Sequence, residues 1–152
     1  MKSVERCRPA RRPWFEDDEP TAEIYTLAFI ARPVVTLDES APIDEAHRLL
    51  SELRVSAIAI VDADAAGDPV LRGILTRTDL LRALGAKRVA DAMSGFPFTL
   101  PAEAPIERAA ALMAFECVGQ VVVTGERGRL VGMVSALDVA RFFAMRGGYR
   151  VA

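Results

Sequence analysis

Thiol and imidazole chemistry have little to work with in this chain, which holds two cysteines and one histidine among 152 residues. No CxxC pair or His/Cys cluster supplies zinc-ligand spacing. Cys7 falls in a polar N-terminal stretch and Cys117 in a helical segment, so no structural disulfide is expected. A reducing, cytoplasmic compartment is the simplest home. His47 sits beside Glu45 and Arg48 on the polar side of a predicted helix, a solvated place rather than that of a general base. Cys117 has no histidine to activate it and reads as buried or interfacial. Gly-rich loops of the Walker or dinucleotide type are missing. So is a basic excess: the formal net charge is -2, and nucleic acid is not expected as a partner. No apolar run approaches the roughly 18 residues of a membrane span. The N-terminus lacks the apolar region of a signal peptide, and Arg11-Arg12 runs on into Pro13, Trp14, Phe15 and acids rather than an export signal. With no catalytic constellation in view, the chain is not expected to be an enzyme.

Hydrophobic residues make up 51% of the chain, ample for one core or for two half-domains that share one. Residues 1–20 read as a flexible tail, first basic and then acidic, with Pro9, Pro13 and Pro20 interrupting any helix. Within it, Trp14 and Phe15 suit docking on the domain's own surface or binding a partner. From Ile24 onward the sequence repeats itself. Thr36-Leu37 followed by Ala41-Pro42-Ile43 recurs 63 residues later as Thr99-Leu100 and Ala104-Pro105-Ile106. Gly73-Ile74-Leu75-Thr76-Arg77-Thr78-Asp79 recurs as Gly132-Met133-Val134-Ser135-Ala136-Leu137-Asp138, at an offset of 59. The four extra residues of the first copy lie in the turn from Asp62 to Pro69, where the second has only Gly125-Glu126-Arg127-Gly128. An insertion confined to a turn is what a structural repeat allows.

Each copy predicts the same elements. An extended segment (Val34-Val35, then Phe98-Thr99) leads to a helix of about ten residues entered through Pro42 or Pro105, with Asp44, Glu45 and Glu107 at its positive end. Apolar strands follow at Ala57 to Val61 and Val70 to Leu75, and again at Gln120 to Val123 and Leu130 to Val134. A second helix begins near Asp79 and Asp138. The fold class is α/β (α+β): two pseudo-symmetric β-α-β-β-α repeats, residues 21–86 and 87–146, with 147–152 a short tail.

The doubled Gly-apolar-apolar-[Thr/Ser]-x-x-Asp signature, the Val55-Ser56-Ala57-Ile58 entry to a strand and Ala90-Asp91-Ala92-Met93 together resemble a tandem cystathionine-β-synthase (CBS) domain pair, or Bateman module, of the stand-alone kind. The resemblance covers about residues 24–146. It implies two clefts between the repeats that bind an adenosine-containing ligand: AMP, ADP or ATP first, S-adenosylmethionine or NAD after them, none obligatory. In each cleft the resemblance gives the Asp to the ribose hydroxyls and the Thr or Ser to the phosphate. One cleft would use Asp138, Ser135 and Met133 with Val35, Val55 and Ser56 opposite. The other would use Asp79, Thr76 and Ile74 with Phe98, Val118 and Gly119 opposite. A carboxylate accepts two hydrogen bonds from a diol, which suits the Asp role. Arg77 supplies a cation for phosphate that Ala136-Leu137 does not, and Phe98 narrows the Asp79 cleft, so Asp138 is the expected nucleoside site. No metal site is expected: Asp62, Asp64 and Asp68 lack the spacing of a calcium loop.

The same Thr-x-x-Asp and Ser-x-x-Asp spacing is also that of a helix capping box, which needs no ligand. Many CBS domains carry proline at the places of Ala59 and Val122; neither repeat does. Two functions therefore stand side by side. One is a regulatory sensor that signals to a separate, unknown effector protein. The other is a ligand-free dimerisation or adaptor module with degenerate clefts. The repeat also marks a surface. Where repeat one has Arg48, Ser51, Glu52, Ala83 and Ala86, repeat two has Ala111, Ala114, Phe115, Phe142 and Met145. Such an apolar gain predicts a homodimer through these helices, the alternative being that Phe142 and Met145 cover the core or the tail.

Overall fold

The computed structural model describes residues 24–63 and 65–151; the expectations for residues 1–20, including Cys7, Trp14 and Phe15, lie outside them. The elements in chain order are α1 (Leu27–Ile30), β1 (Thr36–Leu37), α2 (Ile43–Glu52), β2 (Ala57–Ala63), β3 (Pro69–Thr76), α3 (Arg77–Arg82), a 3₁₀ turn (Val89–Asp91), β4 (Thr99–Pro101), α4 (Ile106–Glu116), β5 (Gln120–Thr124), β6 (Leu130–Ser135) and α5 (Ala136–Arg146). They form a mixed α+β fold of two three-stranded sheets, ordered β1-β2-β3 and β4-β5-β6. In each sheet the middle strand runs parallel to the first and antiparallel to the third. The first strands begin later than the apolar pairs predict, at Thr36 and Thr99. The residues just before them are held one bond at a time: the N–H of Ala59 donates to the Val35 carbonyl and that of Val122 to the Phe98 carbonyl, both at 2.9 Å. Proline at Ala59 or Val122 would remove that donor.

Two cores lie one under each sheet. Ile43, Ala46, Leu50, Ile58, Ile60, Leu75 and Leu80 fill the first; Ile106, Ala109, Met113, Val121, Val123, Val134 and Val139 fill the second. A third, smaller cluster of Ala57, Ile74 and Val122 joins the opposite faces of the two sheets, with Met133 packed against it. Both faces of β2 and β5 are thus covered, which explains their unbroken apolar runs.

Each core is completed by the segment that leads into the other repeat. The fully buried Leu27 belongs to the second core, where its N–H donates to the Ala104 carbonyl at 2.8 Å. The fully buried Val89 belongs to the first, where its N–H donates to the Ala41 carbonyl at 2.9 Å. Between the hairpins, Arg129 pairs with Asp68 at 3.1 Å.

Two expectations change here. Phe142 is 2% exposed, not an interface residue. Its ring packs against Tyr25 at 5.2 Å and Phe29 at 6.2 Å, because α1 and the two residues before it cover that face of α5. Of the two places expected for Cys117, buried or interfacial, the first does not hold: it is exposed and caps α4 in the left-handed region (φ 54°). Ala86, the counterpart of Met145 in the first repeat, packs against the first core. Ala111, Ala114 and Phe115 do lie exposed along α4, Phe115 at 75%. Met145 is half-exposed on α5.

Candidate functional site

The two signatures fold alike for a local reason. A strand ends at a hydroxyl residue that becomes the N-cap of the next helix, and the aspartate three residues on closes a reciprocal box. The Thr76 N–H and hydroxyl both donate to Asp79 Oδ2, at 2.8 and 2.6 Å, and the Asp79 N–H donates back to Thr76 Oγ1 at 3.2 Å. The second box repeats this: Ser135 N–H and hydroxyl reach Asp138 Oδ2 at 3.0 and 2.6 Å, and Asp138 N–H returns to Ser135 Oγ at 3.2 Å. One carboxylate oxygen of each aspartate is therefore spent on its own helix. The other, Oδ1, faces the segment leading into the neighbouring repeat.

What meets Oδ1 differs between the halves. Asp138 Oδ1 takes the Arg32 Nε–H at 2.8 Å, and the side chains are 9% and 65% exposed respectively. Among the described residues, Asp79 Oδ1 takes only the Ser94 hydroxyl, at 3.4 Å. Arg32 and Ser94 are structural equivalents. Arg32 exchanges both backbone hydrogen bonds with Met133 at 3.0 Å, and Ser94 does so with Ile74 at 3.0 and 2.8 Å. The signature glycines allow this approach. A Cβ on Gly73 would stand 2.7 Å from the Ser94 carbonyl oxygen. Burial alone would raise the Asp138 pKa, but the hydroxyl and N–H of Ser135, together with the Arg32 guanidinium, outweigh it and hold the carboxyl below the usual range.

A cavity of about 370 Å³ opens beside Asp138. Arg32, Asp138 and Arg141 give it its charge, and Phe29, Ile30 and Met145 its apolar wall. Of the residues expected across this cleft, Val35, Val55 and Ser56 do not line the cavity. Val35 and Val55 pack against the first core, and the Ser56 hydroxyl donates to Gln120 Oε1 at 3.0 Å, bridging the repeats. On the other side, Ile74 is buried between the sheets and Val118 packs on the second core. The Gly119 carbonyl accepts the Ala136 N–H at 2.9 Å. Phe98 is partly exposed. Arg77 donates to the Leu50 carbonyl at 3.1 Å, near the C-terminal end of α2 where a cation is welcome. The sequence reading missed Arg32, Ser94 and Arg141. The only local hint for Ser94 was its place directly after Ala90-Asp91-Ala92-Met93.

The family model for the CBS domain matches twice, over residues 26–86 and 89–145. The chain belongs to the CBS-domain family. As a tandem CBS pair it is 27% identical over 133 residues to a CBS domain-containing protein of Dictyostelium discoideum, covering 77% of this chain and 89% of that one. It is 33% identical over 113 residues, 74% of its length, to the inosine-5'-monophosphate dehydrogenase of Korarchaeum cryptofilum, of which it spans only 23%. Among solved structures, the CBS domain pair of protein MJ0100 in complex with 5'-methylthioadenosine and S-adenosylmethionine has a TM-score of 0.72 at 26% identity, covering 82% of this chain and 99% of that one. A CBS domain protein of Pyrobaculum aerophilum complexed with AMP has a TM-score of 0.66 at 28% identity, covering 75% and 89%.

Proposed function

We propose that this CBS pair is a regulatory sensor. It binds an adenosine-containing ligand, AMP, ADP or ATP before S-adenosylmethionine or NAD, and signals to a separate effector protein without catalysing a reaction itself. The observation that carries this reading is the division of labour within each signature aspartate. Oδ2 is fixed by the cap, so Oδ1 is held in one position, where a ribose hydroxyl can take the place of the Arg32 or Ser94 donor. Asp138, with Ser135 and Met133, is the first site and Asp79, with Thr76 and Ile74, the second. The solved relatives with AMP or with methylthioadenosine and S-adenosylmethionine support the ligand class. The working form is a cytoplasmic homodimer, joined through Ala111, Ala114, Phe115 and Met145.

A second reading has one observation in its favour. Both boxes close without a ligand, and Asp138 already has a partner in Arg32. In that reading the module is an adaptor with idle clefts. A thermal-shift panel of AMP, ADP, ATP, NAD and S-adenosylmethionine on wild type, Asp138→Ala and Asp79→Ala decides between them. A ligand at about 100 times its Kd adds about 2.7 kcal/mol, a rise of a few degrees. A rise in wild type that one variant abolishes supports the sensor. No rise at millimolar ligand leaves the adaptor.

A further inference from the structure

We propose that Arg32 sets the ligand specificity of the Asp138 site, admitting adenosine compounds that carry a phosphate and turning away uncharged or cationic ones. The inference rests on the reading of Asp138 as a ribose site. Arg32 Nε stands 2.8 Å from Asp138 Oδ1, the oxygen that the capping box leaves over. A ribose diol needs that oxygen, so ligand and Arg32 compete for it. The competition is unequal for different ligands. A neutral hydroxyl that replaces a guanidinium exchanges a hydrogen bond charged on both sides for one charged on the carboxylate alone. A nucleotide returns what it takes, because its phosphate offers the displaced guanidinium a bidentate acceptor.

Arg32 is built for such a move. Its backbone is clamped to Met133 by two hydrogen bonds, and the tight contact with Gly132 fixes it further. The side chain, mostly exposed, is the part left to swing. Arg141, which follows Asp138 on α5, lines the same cavity, so two guanidinium groups face one carboxylate there. That balance favours an anion and opposes the sulfonium of S-adenosylmethionine. The equivalent place in the other half holds Ser94, a neutral hydroxyl at a longer 3.4 Å. The Asp79 site therefore lacks this filter, and the two sites of one chain differ in what they accept.

The test is calorimetric titration of AMP, adenosine and S-adenosylmethionine into the full chain, as wild type, Arg32→Ala and Arg32→Gln, with melting curves to show that each variant is folded. Asp138→Asn identifies which binding events belong to this site. In wild type the Asp138 site should take AMP at least about tenfold more tightly than adenosine, the worth of a charge-assisted hydrogen bond. Both Arg32 variants should bring the two ligands to within about threefold, with adenosine binding more tightly than in wild type. That gain separates a filter from a damaged site. Variants that keep the wild-type AMP-to-adenosine ratio, or that weaken adenosine along with AMP, overturn the role of Arg32 while leaving the ribose site standing. If none of the three ligands binds any form, the ribose reading itself falls, and the filter falls with it.

Discussion

A Cβ placed on Gly132 would stand 2.5 Å from the carbonyl oxygen of Arg32. The contact is backbone against backbone, so no side chain can yield to relieve it. It fixes the segment that meets Asp138, just as Gly73 fixes Ser94 before Asp79. Gly132→Ala and Gly73→Ala should each cost about 1–3 kcal/mol by overpacking, more than the smaller gain from restricting the unfolded chain. Urea denaturation checks this. An unchanged midpoint would mean that the two segments are less tightly joined than described.

Loss of a capping box should be felt in both halves, unequally. Asp79→Ala and Asp138→Ala each remove a cap worth about 0.5–2 kcal/mol. Asp138→Ala also strands Arg32, although so exposed a cation adds only a fraction more. The expected order in equilibrium unfolding is Asp138→Ala as the less stable of the two. The reverse order contradicts the pairing.

Acid should erase part of this difference. The Asp138 carboxyl is held below its ordinary value in the folded state. Its stabilisation is therefore fully present above the unfolded value of about 3.9 and is lost as pH falls through the lower folded value. The stability gap between wild type and Asp138→Asn, measured in urea, should be constant near neutrality and shrink below about pH 4. A gap that stays constant into stronger acid speaks against the depressed carboxyl.

Leu27 lies at the start of the first repeat, yet it is fully buried in the second core. Leu27→Ala should cost about 2–5 kcal/mol. Hydrogen exchange should show the loss in β5 and β6 before β2 and β3. Loss spread evenly over both sheets would mean that the cores do not open separately.

Phe115 and Phe142 should behave oppositely. Phe115 is 75% exposed, so Phe115→Glu should leave the melting temperature of dilute protein within about 2 °C and abolish the proposed dimer in sedimentation equilibrium. Phe142→Ala should cost about 3–5 kcal/mol, as a core aromatic does. A Phe115→Glu protein that still sediments as a dimer moves the interface elsewhere.

The parts legible in the sequence are those with a local cause. The apolar runs of β2, β3, β5 and β6 predicted strands because both faces are covered, and the [Thr/Ser]-x-x-Asp spacing predicted the capping boxes that formed. The parts that were not legible depend on which distant segment arrives where. Nothing about Arg32 before Pro33 announces that it will reach Asp138, more than a hundred residues away. The sequence of α5 allowed Phe142 a place in the core but did not identify Tyr25 and Phe29 as what would cover it. The offset between repeats correctly marked Ala111, Ala114 and Phe115 as an apolar gain on an open face, but it could not see the leading segment that packs across from the other end of the chain.

The stretch from Arg32 to Val35 is tied at both ends, to Met133 in one half and to Ala59 in the other. It acts as a tether of three residue steps, and a chain gains at most about 3.3–3.6 Å per residue when fully drawn out. The halves can part on that side by no more than the slack in those three steps, and Pro33 stiffens one of them. The opposite tether, Ser94 to Phe98, is one step longer and contains Gly95. The two edges of the module are thus unequally tied, with three residue steps between anchors at the Asp138 edge and four at the Asp79 edge.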